Sequence, residues 1–349
     1  MNINMDRKRL TEILAGFKDI NIAMFGDFYI DKMLYIDRDL DEPSLETNLT
    51  AYQIVEKNIS PGAAGTVLNS LYSLGAGKIY AVGVAGDDGE GYELRKCFTD
   101  KCVDDSGMIF SRTWSTPTYF KPTFRYEHWM QESNRLDLHN RTALPEPEEE
   151  LLVRYLYEVS EKVDALVVSD QRRKQSDFGV ITPAIMRALS DIAIQNPGLT
   201  VYVDSRAAIE TFTNLIVKCN HLEALTAVFG GKERAVDIGV IKYCAEALHE
   251  KTKREVLITW GENGTAVLSG ENFELVPAVK VTGPIDVTGA GDSMTAGLMS
   301  AYCAGADLFE AALIGNMAAS VTIQQIGRTG TATQEDILGA FKYFKAREL

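Results

Sequence analysis

Basic residues are scarce in this sequence of 349 residues: 35 Lys and Arg stand against 49 Asp and Glu, a formal net charge of −14. The deficit argues against nucleic acid as a partner, because a surface for phosphate backbones needs clustered cations to release counterions. Long apolar runs are missing as well. No stretch reaches the ~18 uninterrupted apolar residues that a membrane-spanning helix requires, and the nearest, between Ser293 and Gly327, is interrupted by Asp307 and Glu310. The start, with Asp6, Arg7, Lys8 and Arg9 soon followed by Thr11 and Glu12, lacks the apolar core of a signal peptide, which argues against export. Cysteine is limited to five residues, Cys97, Cys102, Cys219, Cys244 and Cys303, an odd number without a CxxC pair. The four histidines, His128, His139, His221 and His249, show no ligand spacing, so neither a disulfide framework nor a zinc site is expected. These thiols read as reduced and mostly buried, and the chain as cytoplasmic.

What is present is ordinary for a folded protein: 46% hydrophobic and 24% charged residues, enough for a large core. The length suits either two domains or one large α/β core with a small appendage. Short apolar runs alternate with helical stretches, the mark of repeated βα units and a mostly parallel sheet. The runs are Ile22–Phe25, Ile79–Val84, Ala165–Val168, Val201–Val203 and Val256–Thr259, and each stops at a polar residue or glycine. Ligands of open α/β sheets bind at that carboxyl edge, so Asp27, Asp170, Asp204 and Thr259 are candidates to face one crevice. Capping of the next helix is the other reading of an Asp in such a place. Two segments break the rhythm, at about 33–61 and 111–139, and read as short β-ribbons that together form a small sheet projecting from the core. With no repeat, low-complexity tract or flexible linker, residues 1–349 are expected to make one domain with a lid.

The most informative stretch is Asp286-Val287-Thr288-Gly289-Ala290-Gly291-Asp292, followed by a nearly charge-free helical run from Met294 to Ala304. Glycines at the entry to a helix gather backbone N–H groups, and the helix dipole adds positive potential, a combination that binds anions. Asp292 at the helix start is placed to take a proton from a substrate hydroxyl while those amides stabilise a phosphoryl group in transfer. The plain alternative is a tight turn with Asp292 as its cap.

The DVTGAGD run resembles the C-terminal signature of the ribokinase-like (PfkB) carbohydrate kinase family, and other segments fit that family in order. Gly26-Asp27 with Asp31 resembles its first substrate-binding strand, and Ser60-Pro61-Gly62-Ala63-Ala64-Gly65-Thr66 its N-terminal signature. Asn220-His221-Leu222-Glu223 is similar to its NxxE element, and Thr259-Trp260-Gly261-Glu262-Asn263-Gly264 to its nucleotide-binding turn. Within the family, Arg135-Leu136-Asp137 and Ser169-Asp170 before a basic run are most similar to the sugar-phosphate kinase module of bacterial ADP-heptose synthesis. The chain ends at Leu349, so the kinase module alone is expected, without the nucleotidyltransferase that accompanies some members.

The resemblance implies a three-layer α/β fold, a mostly parallel central sheet flanked by helices, with a β lid that closes over the acceptor and pairs two chains into a homodimer. It implies ATP as donor and a sugar or sugar-phosphate hydroxyl as acceptor. Asp292 is then the catalytic base, and Gly289, Ala290 and Gly291 form the anion hole. Asn220 and Glu223 organise Mg²⁺ and ATP, with Glu223 reaching the metal through water. Thr259, Gly261, Gly264 and Asn316 line the nucleotide, and Asp286 and Thr288 hold a monovalent cation such as K⁺. On the acceptor side stand Asp27, Asp31, Gly62, Thr66, Asp170 and Arg173, with Asp27 as the principal reader of sugar hydroxyls. Two departures from the family pattern matter. Ala63 and Thr66 stand where a Gly and an Asn are expected, and the run Arg172-Arg173-Lys174 suits an acceptor that already bears a phosphate. The alternatives are a ligand-binding pseudokinase, motivated by the Gly62–Thr66 run, and a nucleoside or vitamin kinase of the same fold.

Overall fold

Each of the five apolar runs becomes a strand of one sheet, and every strand of the set is paired in parallel with a neighbour. The computed structural model describes residues 5–127, 129–172, 178–232, 234–327 and 329–345. In chain order the first half contains α1 (Arg7–Ala15), β1 (Asn21–Gly26), β2 (Phe28–Pro43), β3 (Thr50–Ala63), α2 (Ala64–Leu74), β4 (Lys78–Gly86), α3 (Gly89–Thr99), β5 (Asp104–Ser111), β6 (Thr118–Arg125), β7 (Met130–Glu132), β8 (Leu136–Leu138) and α4 (Glu146–Ser160). The second half contains β9 (Ala165–Asp170), α5 (Pro183–Gln195), β10 (Thr200–Ser205), β11 (Ile216–Asn220), α6 (His221–Phe229), α7 (Ile238–Thr252), β12 (Val256–Thr259), β13 (Thr265–Ser269), β14 (Asn272–Val276), α8 (Ala290–Cys303), α9 (Leu308–Thr322) and α10 (Gln334–Lys345).

The main sheet runs β14-β13-β12-β11-β10-β9-β1-β4-β5, parallel from β12 to β5, with β13 and β14 added antiparallel at one edge. Its central strands are buried on both faces, which is why they read as continuous apolar runs rather than alternating ones. The alternation survives as a division of labour between faces. Ile22, Met24, Ala165 and Val167 pack with α1, α2, α8, α9 and α10, whereas Ala23, Phe25, Leu166 and Val168 pack with α4, α5, α6 and α7. Helices therefore cover both faces, and each fully buried Leu, Ile or Phe contributes about 1.5–3 kcal/mol of burial.

Helices α8 and α9 carry little charge because most of their side chains are buried. Their backbones approach closely at two glycines. A Cβ on Gly315 would stand 2.7 Å from the Met294 carbonyl oxygen, and one on Gly297 would stand 3.0 Å from Ala318 Cβ.

The two irregular segments assemble into a second sheet of order β3-β2-β6-β7, with β8 also paired to β6. Its root lies further back than the ribbon pattern suggests: β2 starts at Phe28, one residue after β1 ends, so the backbone passes from one sheet into the other with only Asp27 between them. β2 and β6 are parallel, with Asp31 opposite Tyr119. Lys32 binds the root to α3, its Nζ 2.7 Å from Glu90 Oε1 and 2.6 Å from Glu93 Oε2.

Candidate active site

The turn before α8 follows from its glycines. Gly289 has φ +77° and occupies the cap position of α8 itself, so Asp292 stands inside the first helical turn and is not the cap. No side chain caps this helix. Ala290 donates its N–H to Val287 O at 3.2 Å, whereas the amides of Gly291 and Asp292 meet no acceptor among the described residues. Those two amides and the positive end of the α8 dipole make an anion site.

Lys218, in the middle of β11, supplies a full positive charge at the same place. It is 4% exposed, and its Nζ lies 3.2 Å from where a Cβ of Gly291 would be, so a side chain there would crowd it. Its ammonium donates to Asp204 Oδ2 at 2.6 Å, and Thr295 Oγ1 donates to the same oxygen at 3.4 Å. Burial is the largest influence and opposes the Lys218 charge, but Asp204, through its charge and its hydrogen bond, together with Tyr202 and Glu223 leaves the pKa raised. Asp292 is pushed up to about 7, first by burial and then by repulsion from Asp204, with Lys218 and Arg206 pulling the other way. A carboxyl poised near neutrality suits a general base.

The NxxE element is a capping box. Asn220 Oδ1 accepts the amides of Leu222 and Glu223 at 2.9 Å, and Glu223 Oε2 accepts the Asn220 amide at 2.7 Å. This explains the spacing and also fixes Glu223 in the field of Asp204, Lys218 and Arg206, where burial and Asp204 raise its pKa. Among the described residues no group of three or more His, Cys, Asp or Glu is clustered to cage a metal. Asp204 and Glu223 instead suit a Mg²⁺ held mainly by phosphate oxygens and water.

On the nucleotide side Thr259 ends β12, and Gly261 and Gly264 (φ +54° and +103°) form the turn after it. Gly264 has no room for a side chain, since a Cβ would come within 2.0 Å of the Val276 carbonyl oxygen. Asn316 is 8% exposed; its Oδ1 accepts from Thr265, and both Nδ2 hydrogens are spent on the carbonyls of Val276 and Pro277. Its N–H donors therefore tie α9 to the end of β14 and are not free for a base. One turn further along α9 opens a cavity of about 280 Å³ lined by Val279, Val281, Thr282, Ser320, Val321 and Gln324. Asp286 joins two turns, accepting the Thr288 amide at 3.0 Å and the Gly327 amide at 3.1 Å, and the first of these bonds leads in holding its pKa down. An ionised carboxylate beside Thr288 is the donor chemistry a monovalent cation needs.

The acceptor side requires the main corrections. Asp27 is 4% exposed, and both of its oxygens accept backbone amides, so it does not open on the crevice. Asp170 is completely buried, bound by Arg172 through two bonds of 2.8 Å and by Ser205 Oγ at 2.8 Å. The same pair removes the Arg172 guanidinium from any phosphate clamp, and Arg173 and Lys174 lie outside the described residues. The Thr66 hydroxyl donates to Pro61 O at 3.3 Å, turned inward and away from the role of the expected Asn. Asp31, four residues on, is the less buried of the two carboxylates. Gly62 is bare because a Cβ there would stand 2.9 Å from Asp31 Oδ2. Lys121 Nζ lies 2.9 Å from Asp31 Oδ1, a buried oxygen that receives no directed hydrogen bond, while the Asp31 side chain as a whole stays 14% exposed. Asp31 also contributes to raising Asp292, and Lys121 to lowering Asp286, so both lie within the electrostatic reach of the α8 turn.

Sequence reasoning named Asp31 second and passed over Lys218 and Lys121. A lysine inside the apolar run Ile216-Val217-Lys218-Cys219, two residues before Asn220, was the available signal. Lys121 had none, since alternation within a ribbon does not tell which face meets the core.

The chain is similar to proteins of known family and fold. Residues 28–335 match the pfkB family carbohydrate kinase pattern. The bifunctional protein HldE of Syntrophotalea carbinolica is 24% identical over 95% of the chain, and that of Bradyrhizobium diazoefficiens 28% identical over 95%. The chain spans only 65% and 64% of their lengths. Among solved structures, ribokinase from Thermotoga maritima superposes with a TM-score of 0.66 at 19% identity, covering 93% of this chain and 99% of that one. Phosphofructokinase-2 from Escherichia coli, solved with substrates and products, gives 0.69 at 18% identity with the same coverage. These structures share the ribokinase-like α/β fold. A match that begins at the root of the second sheet and runs through the uncapped helix α8 into α10 leaves one conclusion: this chain belongs to the pfkB family of carbohydrate kinases.

Proposed function

We propose that the protein transfers the terminal phosphoryl group of ATP to a hydroxyl of a sugar phosphate of the heptose-phosphate class. The observation that carries the reading is the placement of Asp292: a carboxyl poised near neutrality in the first turn of an uncapped helix, beside the buried ammonium of Lys218. Asp31 reads acceptor hydroxyls from the second sheet and directs one of them to Asp292. Asp292 removes that proton as the acceptor oxygen bonds to the phosphoryl group and the bond to ADP breaks. The amides of Gly291 and Asp292, with Lys218, stabilise the charge on the phosphoryl oxygens in flight. Glu223, acting through water, would hold Mg²⁺, which neutralises charge on the phosphates. Asp286 and Thr288 would hold K⁺, adding positive potential beside the turn. The 280 Å³ cavity next to α9 suits the base of the nucleotide.

The second sheet acts as a lid that excludes water from the transfer. Its exposed apolar side chains, Leu40, Tyr52, Ile54, Trp129, Met130 and Leu136, support pairing with a second copy. The similarity to HldE along nearly the whole chain supports the heptose-phosphate class.

ATP turnover measured across heptose phosphates, unphosphorylated sugars and nucleosides, with Asp292→Asn as control, tests the reading. Turnover confined to a phosphorylated sugar and lost in Asp292→Asn is expected. Preference for a nucleoside would overturn the acceptor class. A pseudokinase is the second reading, favoured by the inward turn of Thr66, and tight ATP binding without turnover on any acceptor would establish it.

A further inference from the structure

Turned away from the crevice, Asp27 does something else. Its Oδ2 accepts the Gln171 amide at 3.1 Å and its Oδ1 accepts the Val180 amide at 3.0 Å. These amides are the two feet of the connection from β9 to Thr182, which caps α5. One carboxylate thus ties both ends of a ten-residue stretch, which an amide side chain, with one acceptor and one donor end, cannot do. The near foot is secured again by Asp170, which accepts the Arg172 amide at 3.3 Å as well as its guanidinium. The far foot is fitted closely: a Cβ on Gly179 would stand 3.0 Å from Asp27 Oδ1 and 3.2 Å from Arg172 Cγ. Burial, and then Asp170, raise the Asp27 pKa to about 6, so its charge is kept at a cost and the amide bonds offset part of it. Gly26 is in register with Ser169, which sets both feet on the carboxyl edge of the sheet, the edge from which Asp31 and Asp292 also act.

We propose that Asp27 is a positioning residue, a clip that holds Gln171 and Val180 at the carboxyl edge of β1 and affects acceptor binding through those feet without touching the acceptor. The clip is independent of the substrate; only its kinetic consequence rests on the kinase reading above.

The test compares Asp27→Asn, Gly179→Ala and the double variant by hydrogen–deuterium exchange at Gln171 and Val180 and by kinetics with a heptose phosphate. Gly179→Ala leaves the carboxylate intact and pushes the far foot off it. Loss of a hydrogen bond to a charged group predicts that each single variant speeds Val180 exchange by about tenfold or more. Each raises the acceptor KM by about tenfold with the KM for ATP unchanged, and the double variant adds nothing, as expected when both changes break one interaction. Direct reading of the acceptor by Asp27 predicts the opposite pattern, with exchange unchanged in Asp27→Asn and a normal KM in Gly179→Ala. That result, or additive effects in the double variant, overturns the proposal. Should the wild-type protein phosphorylate no acceptor, the kinase reading fails by itself. The exchange arm then decides the clip alone, and unchanged Val180 exchange in Asp27→Asn refutes it.

Discussion

At the scale of single residues, the chemistry depends on charges that burial makes costly. Asp292 must be ionised to take a proton, and its pKa of about 7, set by burial and Asp204, places the change within the working range. Activity should therefore fall as pH drops through about 7, by roughly tenfold per unit below it, and a kcat profile flat down to pH 5 would contradict the assignment. Lys218 holds that pKa down, so Lys218→Met should lower kcat by roughly 10²–10³-fold and move the acidic limb to higher pH; an unmoved limb would show that the ammonium does not reach the base. Ala63 has φ +54° and ψ −122°, a conformation suited to glycine. Such a residue costs of order 1–3 kcal/mol, and the extra freedom of an unfolded glycine returns only about 0.4–1 kcal/mol of that. Ala63→Gly is expected to raise the melting temperature, and a decrease would mean that the strain is absent. Residue identities also mark how far the sequence could be read. The glycine turn before α8 was legible because backbone geometry restricts which residues serve there. The burial of Asp27 relative to Asp31 was not, because four positions along the chain do not reveal which carboxylate faces inward.

Among the elements, parallel strands were legible from their apolar runs and helix α8 from its lack of charge, since burial on both sides leaves a compositional trace. The second sheet was seen only as ribbons: the parallel pairing of β2 with β6 joins segments nearly ninety residues apart and follows from no local pattern. The α8–α9 contact is where an element-scale test is sharpest. Gly315 faces the Met294 carbonyl at a distance that a methyl group cannot share. Gly315→Ala should destabilise the fold by about 1–3 kcal/mol, the usual cost of overpacking, as read from denaturant midpoints. Because α8 carries Asp292, kcat should fall as well. Unchanged stability would mean that the helices separate without cost.

For the molecule as a whole, the prediction concerns association. The apolar side chains displayed by the second sheet should pair two copies, so sedimentation at micromolar concentration is expected to give a dimer, with Ile54→Lys giving a monomer. A wild-type monomer would remove the lid-pairing idea. The continuous passage from β1 into β2 bears on motion as well. Strand β2 leaves the core without a hinge, is fastened at its root by Lys32, and has register breaks against β3 only beyond Tyr35. It is built like a leaf spring clamped at one end, stiff where Asp31 sits and compliant toward Pro43. Closing would then sweep the tip widely while displacing Asp31 little, so that, in the proposed reaction, the choice of acceptor would fall to the clamp and the shutting out of water to the free end.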